Sequence, residues 1–201
     1  MITLNIPIDY DTIKSLKVGD AVSINGTIVT GRDAAHKYII DNMVKTKNAD
    51  EAEILDKLKA YLNRSIIYHC GPVIKKEGDE YSFVSAGPTT SIREEPYQAD
   101  VIKALNLAGV IGKGGMKGKT LKGCEENGAV YFHAIGGAGC LIAKNAVKVK
   151  EVLKLDFGVP EAFWVIEVKD FKCIVTMDSH GNSLHDKIEN HSKEQFLKLV
   201  K

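Results

Sequence analysis

Ile2, Leu4, Ile6 and Ile8 alternate with Thr3, Asn5 and Pro7, the period of two expected of a strand with one buried face, and the proline keeps that strand near a sheet edge. A short helical turn is expected over 13–16. The segment Ala21-Val22-Ser23-Ile24-Asn25-Gly26-Thr27-Ile28-Val29-Thr30 places Asn-Gly between β-rich flanks and predicts a hairpin turning at Asn25-Gly26. Gly31-Arg32-Asp33 ends it, with Asp33 the expected N-cap of a helix starting at Ala34. Over 49–62, Ile54, Leu55, Leu58, Tyr61 and Leu62 have the spacing of an amphipathic surface helix. Apolar runs at 66–70 and 81–86 each stop at Gly-Pro, which predicts two strands delivering loops to one edge. A largely buried helix follows over 96–107, closed by Gly109. The remainder alternates: a strand at 110–111, a helix over 120–127, a strand over 129–135, Gly136-Gly137-Ala138-Gly139 and a helix. Two strands at 165–168 and 173–177, a turn at Gly181-Asn182 and a closing helix over 193–200 complete it. Strands and helices trading places through short connections imply an α/β fold. No repeat, low-complexity tract or linker divides the chain, so 1–201 is expected to be a single compact domain.

Composition narrows the function classes. With 201 residues, 44% of them hydrophobic, the chain can build a core without covalent staples. A formal charge of +1 provides no footprint for a phosphate backbone, so no nucleic acid partner is expected. No apolar run approaches the roughly 20 residues of a membrane span, and the N-terminus lacks a basic and apolar leader, so a cytoplasmic protein without membrane attachment is expected. Cys70, Cys124, Cys140 and Cys173 form no C-x-x-C pair, and neighbours in a strand such as His69 and Cys70 point to opposite faces. Reduced thiols, with no metal site built by this chain, are the expectation.

The motif Gly87-Pro88-Thr89-Thr90-Ser91-Ile92-Arg93, followed by a helix and then Gly112-Lys113-Gly114-Gly115, sets two hydroxyls, a guanidinium and an ammonium on glycine-flanked turns at the two ends of that helix. Arginine matches a carboxylate bidentately and lysine adds a point charge, so Arg32, Arg93 and Lys113 can neutralise a small dicarboxylate. A capping box between Ser91 and Glu94 would explain a hydroxyl but not the cations. Gly118-Lys119-Thr120 ends like a phosphate-binding P-loop, but position 113, where the first glycine belongs, is lysine. The same turn misses G-x-G-x-x-G because position 117 is lysine. Gly136-Gly137-Ala138-Gly139 could offer backbone N–H groups to an anion or simply permit close helix-to-strand packing, the better supported of the two. His36 lies one helical turn after Arg32 and either lines the same cleft or is structural. Lys144, Lys148, Lys150 and Lys154 read as solvated surface charges.

Taken together, Asn25-Gly26-Thr27-Ile28-Val29-Thr30-Gly31-Arg32-Asp33-Ala34-Ala35-His36, Gly71-Pro72, Gly87-Pro88-Thr89-Thr90-Ser91-Ile92-Arg93, Gly112-Lys113-Gly114 and Phe132-His133-Ala134-Ile135-Gly136-Gly137 resemble the β subunit of class I, iron-sulfur fumarate hydratase. The likeness continues through Trp164-Val165-Ile166-Glu167-Val168 and Asp178-Ser179-His180-Gly181-Asn182. It implies a swivelling β/β/α domain and reversible hydration of fumarate to L-malate. A [4Fe-4S] cluster would act as Lewis acid on the hydroxyl, carried by a separate α subunit in an α2β2 complex. Carried over by position, Thr89 and Lys113 are the implied catalytic residues. Arg32 and Arg93 are the implied carboxylate-binding residues, with Thr90, Gly112 and Gly114 beside them and His36 and Gly137 as further candidates. Ile92, Glu94 and Glu95 depart from the Gly and Met-Asp of some fumarases, which leaves the related L-tartrate dehydratase β subunit as an alternative, and a non-catalytic dicarboxylate-binding subunit as another.

Overall fold

The computed structural model describes residues 1–46 and 48–200. In chain order its strands are β1 (Ile2–Asn5), β2 (Ala21–Thr30), β3 (Ile66–Tyr68), β4 (Val73–Glu77), β5 (Glu80–Ser85), β6 (Gly109–Gly112), β7 (Val130–His133), β8 (Ala146–Leu153) and β9 (Phe163–Met177). The helices are α1 (Tyr10–Ser15), α2 (Asp33–Ile39), α3 (Ala52–Leu62), α4 (Gln98–Leu105), α5 (Gly118–Asn127), α6 (Gly139–Ala143) and α7 (Leu184–Leu199). The α/β expectation holds.

Neighbours in the main sheet run β1-β2-β3-β6-β7-β9-β8, and β2 pairs a second time with β9, closing β2, β3, β6, β7 and β9 into a ring. Strand periodicity sorts the side chains between its two faces. Ile66 and Tyr68, Val130 and Phe132, Trp164 and Ile166 belong to one cluster with the strand residues inside the ring. Ile67, Tyr131, Phe163 and Val165 belong to another, covered by residues of α2, α3, α4 and α5. The β4–β5 hairpin forms a separate small sheet whose Tyr81 and Phe83 rings meet Trp164 edge-on at 5.2 and 6.0 Å. A closed ring thus carries helices on its outer face and a second sheet against its inner cluster.

Several expectations are corrected, each by tertiary pairing. Asn25-Gly26 does not turn a hairpin: β2 is one ten-residue strand. Both flanks find partners along their whole length, β1 and β9 for the first half and β3 and β9 for the second. Gly26 instead takes φ +116° at a register shift against β9. Likewise 165–168 and 173–177 belong to one 15-residue strand, bent where Asp170 has φ +54°. The two irregularities are stitched together, since the Asp170 N–H donates to Asn25 Oδ1 at 2.9 Å. β8, read from the sequence as surface lysines, is an edge strand that among the described residues pairs only β9, where outward charge protects an open edge.

Smaller corrections concern the ends of elements. Asp33 is the first residue of α2, and the cap is Arg32 with no side-chain bond. Asn106 in the left-handed conformation ends α4, and Gly109 is already in β6. α7 begins at Leu184, where Ser183 Oγ accepts from the Asp186 N–H at 3.2 Å. No helix among the described residues is long and apolar enough to cross a membrane.

Candidate functional site

β2, β3, β6 and β7 are consecutive parallel neighbours, so their carboxyl ends open on the same edge of the ring. Ligand crevices in α/β sheets form outside such ends, where the following loops are free to carry chemistry. Here those ends deliver Arg32 after β2, His69 to Pro72 after β3, Lys113 after β6 and Gly136-Gly137 after β7. The Gly87-to-Arg93 segment enters from β5 and is sewn in by main-chain bonds. Its Thr89 N–H donates to His69 O at 2.7 Å, Lys113 N–H to Thr89 O at 3.3 Å and Ser91 N–H to Lys113 O at 3.1 Å. Bridges Cys70 to Pro88 and Thr90 to Lys113 complete the seam. The two predicted turns therefore lie side by side, not at opposite ends of α4, because β6 carries the chain back beside Thr90.

Arg32 is partly buried, and its Nη1 pairs with Glu161 Oε1 at 3.2 Å. The other oxygen of Glu161 accepts from Ala34 N–H in the first turn of α2 at 3.2 Å. A side chain at Gly71 would stand 2.7 Å from the guanidinium, so glycine there makes room for Arg32. Thr89 Oγ1 is buried and has no hydrogen-bond partner among the described residues. Lys113 is half-buried, with its Cδ 3.3 Å from the position of a Cβ on Gly136, and forms no ion pair among the described residues. Arg93 and Thr90 are exposed, and Arg93 also has no ion-pair partner among the described residues.

The glycines separate by role. Gly114 and Gly137 have φ +78° and +83°, which favours glycine through backbone conformation. Gly112 is dictated by crowding: a Cβ there would lie 1.8 Å from Ser91 Oγ and 2.8 Å from the Tyr131 hydroxyl. Gly139 packs against Ser85 and Gly87 while its carbonyl accepts from Ala86 N–H at 3.0 Å, so within the glycine run it is Gly139 that serves close packing.

Two sequence alternatives are overturned. His36 does not line the cleft: it is fully buried, and its Nδ1 donates to Arg32 O at 2.8 Å. Ser91 forms no capping box with Glu94; Thr90 is the cap residue, and Ser91 Oγ contacts His69 Nδ1 and the Tyr131 hydroxyl, each at 2.8 Å. Glu94 is 1% exposed, one of its oxygens is unpartnered, and burial together with the adjoining Asp33 carboxyl pushes it up to about 8. Sequence reasoning missed Glu161, His69, Gln98 and Tyr131, which carry no motif of their own and reach the site only through folding.

Cys70 and Cys124 are buried, and burial pushes each thiol up to about 12; Cys173 is buried and raised as well, and Cys140 is exposed. Among the described residues no three His, Cys, Asp or Glu side chains are grouped to hold a metal ion. These thiols do not fit an iron-sulfur cluster, which requires several convergent thiolates.

The sequence model described as Fumarase C-terminus matches residues 1–188. A Geobacillus stearothermophilus protein provisionally assigned as fumarate hydratase class I is 50% identical over 197 residues, 98% of this chain and 36% of that protein. The chain therefore spans little more than a third of that relative. A Methanocaldococcus jannaschii protein provisionally assigned as L(+)-tartrate dehydratase subunit beta is 44% identical, covering 94% of this chain and 93% of the relative. The L(+)-tartrate dehydratase subunit beta of Escherichia coli K12 is 37% identical, over 90% of this chain and 85% of its own length.

Proposed function

The chain belongs to the Fumarase C-terminus family, and from that premise we propose that it is the β subunit of a hydro-lyase interconverting fumarate and L-malate. In this reading a separate α subunit completes the pocket and carries the [4Fe-4S] cluster, an arrangement supported by the subunit beta names of the relatives of matching length. The observation that supports the reading most is that Arg32 and Lys113 follow β2 and β6 on the edge where these strands and β3 end, and that the Thr89 segment is bonded through the main chain to His69 and Lys113 on that edge.

Each residue has a part in that reaction. Arg32, oriented by Glu161, and exposed Arg93 bind the two carboxylates of the substrate. Lys113 adds positive charge where negative charge develops on the carboxylate beside the reacting carbon. Thr89 Oγ1, which has no hydrogen-bond partner among the described residues, moves the proton at the carbon adjacent to the hydroxyl-bearing carbon. An alcohol is a weak base on its own, so Thr89 works only in the assembled pocket, where neighbouring cations or a base from the partner activate it.

A second reading has its own support. The relatives of matching length, which the chain covers to 93% and 85%, bear the name L(+)-tartrate dehydratase subunit beta. The same groups would then remove water from tartrate to give oxaloacetate.

The test is to express the chain with its cluster-bearing partner and assay malate and L-tartrate side by side. Turnover of malate above tartrate, lost by at least about a hundredfold in Thr89→Ala and Arg93→Ala with the fold intact, is expected. A preference for tartrate selects the second reading. Dicarboxylate binding without turnover of either acid leaves a binding subunit and sinks both, and full activity of the isolated chain sinks the two-subunit arrangement.

A further inference from the structure

Behind the pocket, His36, Gln98, His69, Ser91 and Tyr131 are each 0% exposed and touch in series. His36 Nδ1 lies 2.8 Å from Arg32 O and its Nε2 2.9 Å from the Gln98 carboxamide. The same end of that amide is 2.8 Å from His69 Nε2, and His69 Nδ1 is 2.8 Å from Ser91 Oγ, itself 2.8 Å from the Tyr131 hydroxyl. The two imidazoles meet edge-on, 5.0 Å between centroids. Buried polar groups in such number are retained only when each finds a partner.

Proton bookkeeping orients the chain. Arg32 O is an acceptor, so His36 Nδ1 carries hydrogen. Burial holds both imidazoles below their ordinary pKa, most strongly His69, and each ring therefore keeps one proton. His36 Nε2 is then bare and needs a donor. The oxygen and nitrogen of a carboxamide exchange by a half-turn, and the network decides between them. With the oxygen toward the rings, the Gln98 NH2 has no partner and His36 must carry a second proton. With the NH2 toward the rings, its two hydrogens reach the two Nε2 atoms, and one acceptor, the carboxamide oxygen, rather than two donors is left without a partner among the described residues. His69 Nδ1–H then donates to Ser91 Oγ, and Ser91 O–H donates to the Tyr131 oxygen. One residue, Gln98, joins the two halves.

The ends of this chain grip the main chain of the pocket. His36 holds the carbonyl of Arg32, the carbonyl of His69 takes the N–H of Thr89, and Ser91 N–H is bonded to Lys113 O. We infer that Gln98 and its partners His36, His69 and Ser91 are positioning residues, which set the spacing between the Arg32 corner and the Thr89 and Lys113 loops without touching substrate. The inference rests on the proposed function for its catalytic readout, but not for its structural one.

The experiment uses the co-expressed complex and the full 15N-labelled chain. Gln98→Met removes the link at nearly constant volume; Tyr131→Phe removes only the far end. At equal folded fraction, Gln98→Met should lower kcat/KM about ten- to a hundredfold and Tyr131→Phe less, because displacement of reacting groups by about 1 Å has costs of that order. A folded Gln98→Met with unchanged kcat/KM overturns the inference. Imidazole 15N shifts of the wild-type chain should show both rings neutral with hydrogen on Nδ1 at pH 7. An imidazolium, or an Nε2–H tautomer on either ring, overturns it even when the methionine variant fails to fold. If the wild-type complex turns over neither acid, the functional reading fails on its own. The positioning claim is then judged by whether the backbone amide signals of Arg32, Thr89 and Lys113 all move in Gln98→Met, and unmoved signals refute it.

Discussion

Gly112 shows how a single residue serves the pocket through what it lacks. Its place in Gly-Lys-Gly suggests backbone freedom to bring Lys113 close, yet its demand for glycine is steric. A methyl at 112 would occupy the space of Ser91 Oγ, at 1.8 Å. Gly137, with φ +83° and open space where a Cβ would stand, is the opposite case. Gly112→Ala should therefore cost about 1–3 kcal/mol through overpacking and displace Ser91, whereas Gly137→Ala should cost about 1 kcal/mol of backbone strain alone. Urea midpoints of the two variants compare them directly, and equal losses would show that crowding is not what excludes a side chain at 112. At this scale, residues with a motif were legible: Arg32, Thr89, Arg93 and Lys113 all stand in short ordered strings. Glu161 and Gln98 were not, because a lone Glu or Gln acquires meaning only from the side chain that folding places opposite it.

Among the elements, β2 shows why local signals misled. Asn-Gly is a strong turn former in isolation, but β1, β3 and β9 together offer ladder bonds on both sides of β2 and outweigh it. Glycine is still needed, now for a bulge: at φ +116° a Cβ on Gly26 would lie 2.9 Å from Ile6 Cβ. Gly26→Ala should lower stability by about 1–3 kcal/mol, readable as a shift in thermal midpoint. The contrasting element is α7, sixteen residues with none buried. Its first turn is anchored, since His185 Nε2 lies 2.9 Å from Thr176 Oγ1. Ending the chain after Glu189 should therefore change stability by less than about 0.5 kcal/mol, and a larger loss by calorimetry would mean that the distal helix packs on the domain.

Over the whole molecule, buried ionisable groups bend the stability profile in opposite senses. His36 and His69 are held below their ordinary pKa by burial, so they contribute stability present above about pH 6.5 that is lost as pH falls through their folded values. Glu94 is the reverse. Raised from 4.5 to about 8 by burial and by the Asp33 carboxyl, with Arg32 the opposing charge, it favours the fold while protonated, an advantage that fades as pH rises from about 4.5 to about 8. Denaturant midpoints should thus fall in the wild type as pH rises toward the alkaline side, from about 4.5 to about 8, by energies on the order of a few kcal/mol. In Glu94→Gln, which keeps the neutral shape, that alkaline limb should flatten while the acid limb remains. An unchanged alkaline limb would remove Glu94 as its cause.

By itself the sequence determined the class of fold and set the candidate site residues in order along the chain. Periodicity of two and of 3.6 belongs to the chain, and so do glycine, arginine, threonine and lysine in fixed order. Only the tertiary structure decided that β2 and β9 run unbroken and close a ring, that the lysines from 146 onward line an edge strand, and that four parallel strands open on one edge. Pairing energies between distant segments set those outcomes, and no local window contains both partners. The same reason separates the two kinds of site residue: Arg32 and Lys113 could be named from neighbours in sequence, while His36, Gln98 and His69 acquire their roles from hydrogen bonds whose partners meet only after the chain has folded.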